Sequence, residues 1–181
     1  MSKKVLIVSS TYRIKGNSEL LADSFSKGAT DAGHVIERLD LRDFKLEFCT
    51  GCLVCQKSNE PMCVLKDDMS PYLQRIQDVD VIVFVTPIYF YAMSGKLKTF
   101  IDRLNPLYPH DYQFRDIYLL ASAADDNASA MDGAIKEVQG WIDCFEKTEL
   151  KGVVRALGVV NKGDVNGMNY VSSAYDMGKN I

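Results

Sequence analysis

The sequence has no apolar run long enough to cross a bilayer, no low-complexity tract, no internal repeat and no excess of positive charge. A membrane-spanning helix needs about 20 consecutive apolar residues, and no stretch of the chain approaches that length. The formal net charge of −3 gives no reason to expect a nucleic acid or an anionic membrane as a partner. Because no Pro/Gly/Ser-rich linker interrupts the chain, we predict a single domain over residues 1–181.

A secretion signal is also missing from the N-terminal residues. The first apolar run is only Val5–Val8, whereas the core of a signal peptide takes about 7–15 residues. We therefore expect a cytoplasmic protein, in which thiols stay reduced. Histidine is scarce as well, since only His34 and His110 occur, and neither has a partner that would suggest a catalytic dyad.

Short apolar runs alternate with helical patterns, which is typical of an α/β domain built on a parallel sheet. The predicted strands are 4–9, 34–39, 80–86, 116–122 and 153–160. The predicted helices are 17–32, 67–77, 95–104, 129–146 and 171–179. In such sheets a ligand binds at the carboxyl ends of the strands, so the functional loops should be 9–18, 86–94 and 121–127.

The loop after the first strand contains neither G-x-G-x-x-G nor G-x4-G-K-[ST], which disfavours a Rossmann dinucleotide site and a P-loop. It nevertheless offers hydroxyl groups, a cation and the start of a helix, whose free N–H groups attract anions. The candidate phosphate-binding residues are Ser9, Thr11, Arg13, Asn17 and Ser18. An ordinary polar capping loop is the alternative interpretation.

The loop after the third strand carries aromatic residues at the same edge of the sheet. Its candidate ligand-binding residues are Pro87, Ile88, Tyr89 and Phe90. A flat ring fits such a site, because backbone groups can bind its polar edge while an aromatic side chain covers a face. Beside a phosphate loop, this pattern favours a mononucleotide with a large ring system, such as FMN. The alternative is that the aromatic residues belong to the core or to a dimer contact.

These residues resemble the NADPH-dependent FMN reductase family, which has a flavodoxin-like fold. Thr11-Tyr-Arg13 followed by Gly16-Asn-Ser18 is similar to the phosphate loop of the family. Thr86–Phe90, continued by Leu97–Arg103, is similar to its flavin-ring loop and the helix that follows. The resemblance implies a three-layer α/β sandwich, with a five-stranded parallel sheet in the order 2-1-3-4-5 and helices on both faces. It also implies FMN as cofactor and a homodimer or homotetramer with FMN at the subunit interface.

A cluster of cysteines is the most unusual feature of the sequence. Four of the five cysteines fall within fifteen residues, namely Cys49, Cys52, Cys55 and Cys63. Their spacing is similar to the motif of iron–sulfur flavoproteins, a branch of the same family, which implies a [4Fe-4S] cluster on four thiolates. Reduced thiols without a ligand and a tetrahedral zinc site remain as alternatives. We predict that Cys144 is a core residue of the 129–146 helix.

The resemblance implies an FMN-dependent NAD(P)H oxidoreductase that passes electrons to a second acceptor, which is a quinone, another small molecule or a protein. We expect the flavin to carry the chemistry. Backbone N–H groups of the third loop, Ala121 to Asp126, which includes the candidate residues Ser122 and Ala123, could meet the negative charge that develops on it. An electron carrier with a ferredoxin-like partner and no nicotinamide site is the main alternative. A flavin-free regulatory module is disfavoured, because its expected acidic cluster is replaced by Ser9, Ser10 and Thr11.

Overall fold

The apolar runs form one central sheet, and the computed structural model describes all 181 residues. The strands are β1 (Lys4–Ser9), β2 (Val35–Asp40), β3 (Val81–Tyr89), β4 (Ala92–Met93), β5 (Asp116–Ser122) and β6 (Glu149–Ala156). The helices are α1 (Asn17–Asp31), α2 (Leu73–Gln77), α3 (Gly95–Asp102), α4 (Asp132–Ile142) and α5 (Asn169–Lys179). None of these helices has the length and apolar character that a membrane crossing requires.

Five long strands pair in parallel in the order β2-β1-β3-β5-β6, and β4 pairs antiparallel with the end of β3. If the five long strands are numbered in chain order and the short β4 is left out, this is the predicted order 2-1-3-4-5. The prediction of a flavodoxin-like fold is therefore confirmed. The order reverses at β1 and β3, which run side by side from Val5 opposite Val81 to Ser9 opposite Val85. The carboxyl ends of these two strands therefore form the switch point at which ligands bind in such sheets.

Four predicted elements differ from the structure by three residues or more at one end at least. The strand β3 continues to Tyr89, because its last residues pair with β4. The fifth long strand, β6, begins and ends four residues earlier than predicted, because it pairs with β5 from Asp116 to Ser122. The predicted helix 67–77 shrinks to α2 after a 3-10 turn at Ser70–Tyr72. The predicted helix 129–146 begins with a 3-10 turn and ends at Ile142, so Cys144 is exposed and the prediction of a core cysteine is wrong.

The core lies on both faces of the sheet, because successive strand side chains point to opposite sides. Leu6 and Phe84 face the layer that contains α2, α3 and α4. Ile7 and Val83 face α1 and α5. The sheet is thus buried between two helical layers, and only its edges and the loops at the strand ends are open to a ligand.

Helices α1 and α5 approach each other backbone to backbone through two glycines. A Cβ atom built on Gly28 would lie 2.0 Å from the carbonyl oxygen of Tyr175. One built on Gly178 would lie 2.2 Å from the carbonyl oxygen of Phe25. Such distances leave no space for a side chain, so this helix pair depends on both glycines.

We predict that Gly28→Ala lowers the free energy of unfolding by about 1–3 kcal/mol, because the added methyl group forces the two helices apart. Urea unfolding followed by circular dichroism measures the change. Gly140→Ala is the matched control, because a Cβ atom there meets nothing within 4 Å, and the greater helix propensity of alanine should leave stability unchanged or raised. Equal stability of Gly28→Ala and the native chain would contradict the packing described.

Candidate functional site

The first turn of α1 lies at the switch point and has no side-chain cap. Its N-cap residue, Gly16, is extended at φ −79° and ψ 169°, and no side chain accepts a hydrogen bond from the helix start. The first N–H groups of a helix have no intrahelical acceptor. Together with the positive end of the helix dipole, these free donors make a binding site for an anion such as a phosphate.

Two further features of the first loop fit a phosphate. A Cβ atom on Gly16 would lie 2.7 Å from the carbonyl oxygen of Arg13, so only glycine allows this tight turn. The Oγ atom of Ser9, at the end of β1, is buried and has no hydrogen-bond partner in the protein. Because a buried hydroxyl group without a partner is costly, an acceptor from a ligand would satisfy it.

Several polar groups of the first loop serve the fold rather than a ligand. The Oγ atom of Ser10 donates to the carbonyl oxygen of Val85 and accepts from Ser94 Oγ. The Asn17 amide donates to the carbonyl oxygen of Asn161 at 2.9 Å and accepts from the N–H of Val165 at 3.2 Å. Asn17 thus positions the loop that follows β6, and its backbone N–H remains available at the start of α1.

A cleft of about 200 Å³ joins the three predicted loops. Eight of the predicted ligand-binding residues line it: Thr11, Arg13, Asn17, Ser18, Pro87, Ile88, Tyr89 and Ser122. Ser18 and Ser122 are linked by a hydrogen bond of 2.7 Å between their hydroxyl groups. The cleft volume suits the phosphate end of a mononucleotide. A ring system would have to extend out of the cleft on the side of Tyr89.

Three predicted residues lie outside the lining of this cleft. Ser9 is buried beneath it, Phe90 is at the tip of the neighbouring hairpin, and the N–H of Ala123 donates to the carbonyl oxygen of Ala156. The sequence reasoning missed Val159 and Val160, which line the cleft after β6. Ligands bind at the carboxyl ends of strands, so both residues could have been predicted. They were missed because the last strand was predicted to continue through Val160.

The three aromatic residues of the second loop form a strained hairpin turn. Phe90 and Tyr91 both have positive φ angles, 50° and 64°, and they connect the paired residues Tyr89 and Ala92. Two positive φ angles define a type I′ turn, which normally carries Asn-Gly because other residues are strained there. Each such residue costs roughly 1–3 kcal/mol. All three aromatic side chains are exposed, so they do not belong to the core.

A larger groove, of about 580 Å³, lies between α3, α4 and the cysteine segment, which we define as residues 49–63. Cys49 and Cys144 both line it, together with Trp141. It contains no free helix start and no buried donor without a partner. The first turn of α1 is therefore the better candidate for an anion-binding site, although the groove has more volume.

The four clustered cysteines face one small cavity. Cys49, Cys52, Cys55 and Cys63 all line it, and its volume of about 20 Å³ is enough for one water molecule. Burial, and then the three neighbouring cysteines, raise the pKa of the Cys55 thiol. The N–H of Val54 and the hydroxyl group of Thr50 lower the pKa of the exposed Cys52 thiol.

A buried ion pair joins Arg103, the C-cap residue of α3, to the chain that flanks the cysteine segment. Arg103, 1% exposed, forms two hydrogen bonds with the fully buried Asp67 carboxylate and donates to the carbonyl oxygen of Glu47 at 2.8 Å. Asp67 also accepts from the N–H of Glu47 at 2.9 Å. Burial lowers the pKa of Arg103, but Asp67 and Cys63 more than offset it and raise the pKa above its usual value.

The cysteine cavity has the sulfur donors and the neighbouring positive charge that suit a thiolate-bound metal group. Its side chains are not yet arranged to bind one. Arg103 lines the cavity, and its buried Nε atom has no hydrogen-bond partner, so a negatively charged occupant would be favoured there. However, the structure contains no group of three or more His, Cys, Asp or Glu side chains that could hold a metal ion. The cysteine segment must therefore rearrange before it can hold a cluster or zinc.

An open parallel sheet in this strand order, with helices on both faces, defines the flavodoxin-like class of fold, in which ligands bind at the switch point. The sequence profile of the NADPH-dependent FMN reductase family matches residues 3–141. The chain therefore belongs to the NADPH-dependent FMN reductase family.

Individual relatives agree with this membership. An iron–sulfur flavoprotein of Methanocaldococcus jannaschii is 33% identical over 104 residues, covering 58% of this chain and 53% of the relative. A putative NAD(P)H-dependent FMN-containing oxidoreductase of Bacillus subtilis is 27% identical over 131 residues, 68% of each chain. The match covers between 40% and 53% of the first iron–sulfur flavoproteins found, so the chain spans about half their length.

A solved structure shows the same fold over nearly the whole chain. The NAD(P)H:quinone oxidoreductase from Methanothermobacter marburgensis superimposes with a TM-score of 0.77 and 23% sequence identity. The superposition covers 99% of this chain and 96% of that one. At this identity the likeness shows the fold alone.

Proposed function

We propose that the chain is an FMN-dependent NAD(P)H oxidoreductase that passes electrons from a nicotinamide to a second acceptor, with a quinone as the first candidate. The observation that carries this proposal is the uncapped first turn of α1, placed at the switch point beside an aromatic hairpin. Family membership and the names of the relatives support FMN and NAD(P)H as the cofactor and cosubstrate. When bound, FMN supplies the hydride and electron transfer, and the protein binds and orients it.

The phosphate of FMN would lie against the first turn of α1. The N–H groups of Asn17 and Ser18 and the Oγ atom of Ser9 would donate to it, and Arg13 would pair with its charge from the rim. The Arg13 guanidinium already reaches across the cleft, because one of its N–H groups donates to the carbonyl oxygen of Val160 at 2.9 Å. Phosphate recognition would thus hold together the loops after β1 and β6.

The polar edge of the flavin ring would meet the loop after β5. The N–H groups of Ala124, Asp125 and Asp126 make no hydrogen bond within the protein, so they are free to donate to ring carbonyl oxygens. The Asp125 carboxylate is already engaged, because it accepts from the N–H of Asn127 and from the Tyr91 hydroxyl. No side chain at this edge is needed as an acid or a base, since backbone donors can meet the negative charge.

The cysteine segment supports a second proposal, a [4Fe-4S] cluster on Cys49, Cys52, Cys55 and Cys63. All four side chains line one cavity that also contains the unpartnered Arg103 Nε atom. If a cluster forms, the chain could instead act as an electron carrier with a ferredoxin-like partner. The names of several relatives as iron–sulfur flavoproteins support this alternative.

The exposed apolar side chains favour a homodimer or homotetramer. Most of them lie in or directly beside the cysteine segment and at the carboxyl edge of the sheet: Phe48, Leu53, Val54, Met62, Val64, Tyr12, Ile14, Tyr89, Phe90 and Tyr91. Large apolar patches are uncommon on monomers and mark sites of association.

We predict that Arg13→Ala weakens FMN binding about tenfold, because it removes a charge-assisted hydrogen bond to the phosphate. Riboflavin, which lacks the phosphate, should bind both proteins equally, and Arg13→Lys should recover part of the loss. Fluorescence titration of the three flavin-free proteins with FMN and with riboflavin gives the six dissociation constants. An equal loss for FMN and riboflavin would mean that Arg13 only holds the loop after β6, and would contradict phosphate pairing.

The activity itself is tested by anaerobic reduction of the FMN-loaded protein. We expect NADPH or NADH to abolish the flavin absorbance in a stopped-flow experiment, and a quinone to restore it. If neither nicotinamide reduces the flavin but a reduced ferredoxin does, the protein is an electron carrier and the oxidoreductase proposal is wrong.

Iron analysis and absorption spectra of anaerobically reconstituted protein test the cluster. We predict about four irons per chain and a brown colour in the native chain, and loss of both in Cys63→Ser. Cys144→Ser is the matched control, because this cysteine lies outside the segment and should not affect iron content. An iron-free native protein that binds zinc would favour the zinc site, and one that binds neither would leave four free thiols.

A further inference from the structure

The loop that leads into α1 contains one residue in a strained backbone conformation. Lys15 has a positive φ angle of 56°, which residues other than glycine adopt only at a cost. It is the third residue of a turn that is closed by a hydrogen bond of 2.8 Å from the N–H of Gly16 to the carbonyl oxygen of Arg13. Because Arg13 begins this turn and α1 begins directly after it, the conformation of Lys15 sets how Arg13 is placed relative to the first N–H groups of the helix.

Glu19, in the first turn of α1, holds this turn. Its carboxylate accepts a hydrogen bond from the N–H of Lys15, and this is the only hydrogen bond that the Lys15 N–H makes within the protein. The Glu19 side chain is 9% exposed, whereas Lys15 is exposed, so burial of the lysine does not favour the turn. Since residues in strained conformations persist only where their surroundings hold them, the contact with Glu19 explains how lysine occupies this position.

The Glu19 carboxylate is paired with two arginines, which offset the repulsion that it would exert on a phosphate. Arg42 donates to Glu19 at 2.6 Å, and a nitrogen of the Arg38 guanidinium lies 3.5 Å from the same oxygen. Burial raises the pKa of Glu19, but Arg42, the N–H of Lys15 and Arg38 more than offset it and lower the pKa below its usual value. Glu19 is therefore ionised at neutral pH, and its charge is compensated from the end of β2 and the turn that follows.

We propose that Glu19 is a positioning residue for the phosphate of the cofactor. By holding Lys15 in its left-handed conformation, it keeps Arg13 and the first N–H groups of α1 arranged for the anion before the anion binds. Preorganisation of this kind raises affinity, because the turn is already ordered when the ligand arrives. This inference rests on the proposed FMN-dependent function and concerns only the phosphate end of that ligand.

The first experiment measures the Kd of FMN and of riboflavin for the flavin-free native protein and for Glu19→Ala, by fluorescence titration. We expect Glu19→Ala to weaken FMN binding about 3- to 10-fold, because the strained residue is no longer held. Riboflavin has no phosphate, so its Kd should stay within about twofold of the native value. Tighter FMN binding would mean that the carboxylate only repels the phosphate, and equal losses for both ligands would mean a general loss of structure. Either result would overturn the inference.

Asp23→Ala is the matched control on the same helix. Asp23 also binds Arg38 but makes no hydrogen bond to the loop before α1. The variant therefore removes one negative charge from the same group of ion pairs, and the FMN Kd should stay near native. If Asp23→Ala weakens FMN binding as much as Glu19→Ala does, the charge rather than the contact with Lys15 is responsible, and the inference is wrong.

The double variant Glu19→Ala/Lys15→Gly shows whether Glu19 acts through Lys15. Glycine adopts positive φ angles without a steric cost, so the turn in Lys15→Gly no longer depends on the carboxylate. The double variant should therefore bind FMN within about twofold of Lys15→Gly alone, since two residues that act through one contact are not additive. A loss as large as that of Glu19→Ala in the native background would contradict a role through Lys15.

Two single variants at position 15 test the same turn without changing the buried carboxylate, so they decide the question even if Glu19→Ala does not fold. Lys15→Gly and Lys15→Val both remove the charge of an exposed lysine, but valine strongly disfavours a positive φ angle. We expect Lys15→Val to bind FMN about 3- to 10-fold more weakly than Lys15→Gly, with no difference for riboflavin. Equal Kd values for FMN would mean that the left-handed conformation is not needed, and would overturn the inference.

The native protein separates this inference from the proposed function. If the native protein does not bind FMN, the proposed function fails and the inference fails with it, before any variant is made. If the native protein binds FMN more tightly than riboflavin and Glu19→Ala behaves as the native chain does, the proposed function stands and only the positioning role of Glu19 is wrong.

Discussion

The free N–H groups at the start of α1 are the constraint on which the rest of the site depends. A helix that follows a buried parallel strand through a short loop must begin at the carboxyl edge of the sheet, and here it begins without a side-chain cap. The surrounding groups are organised around this start: Gly16 permits the turn, the Asn17 side chain holds the loop after β6, and Ser18 is hydrogen-bonded to Ser122 on β5. An anion bound at this position would accept hydrogen bonds from N–H groups that have no acceptor within the protein.

Helix α3 connects this edge with the cysteine segment. Its N-cap residue, Ser94, is buried, and it donates its hydroxyl group to Ser10 Oγ and its N–H to Thr86 Oγ1 at the switch point. Further along, Lys96 donates to the carbonyl oxygen of Phe44 and Arg103 to that of Glu47, so α3 holds the chain just before the first clustered cysteine. One short helix therefore contacts both the switch point and the chain that leads into the cysteine segment, whether or not the cysteines bind a metal.

Much of the fold could be predicted because buried parallel strands are nearly continuous apolar runs, as in β1 and β3. The three loops of the site followed from the rule for strand carboxyl ends. The position of β6 could not be read from periodicity, because its bounds are set by pairing with β5. The hairpin turn at Phe90 and Tyr91 could not be predicted either, since neither residue favours positive φ. The residues that contact the hairpin are distant in sequence: Gly133 lies against the carbonyl oxygen of Tyr91, and the Glu137 carboxylate accepts from the N–H of Met93. Cys144 was misplaced because the end of α4 carries no clear stop signal.

A crystal structure of the protein with bound FMN tests whether the start of α1 binds the phosphate. We expect the phosphate to lie within hydrogen-bond distance of the N–H groups of Asn17 and Ser18, with the Ser9 hydroxyl and Arg13 also in contact, and the ring to lie beside Tyr89. A phosphate bound elsewhere, for example in the groove between α3 and α4, with the first turn of α1 left free, would contradict this role of the helix start.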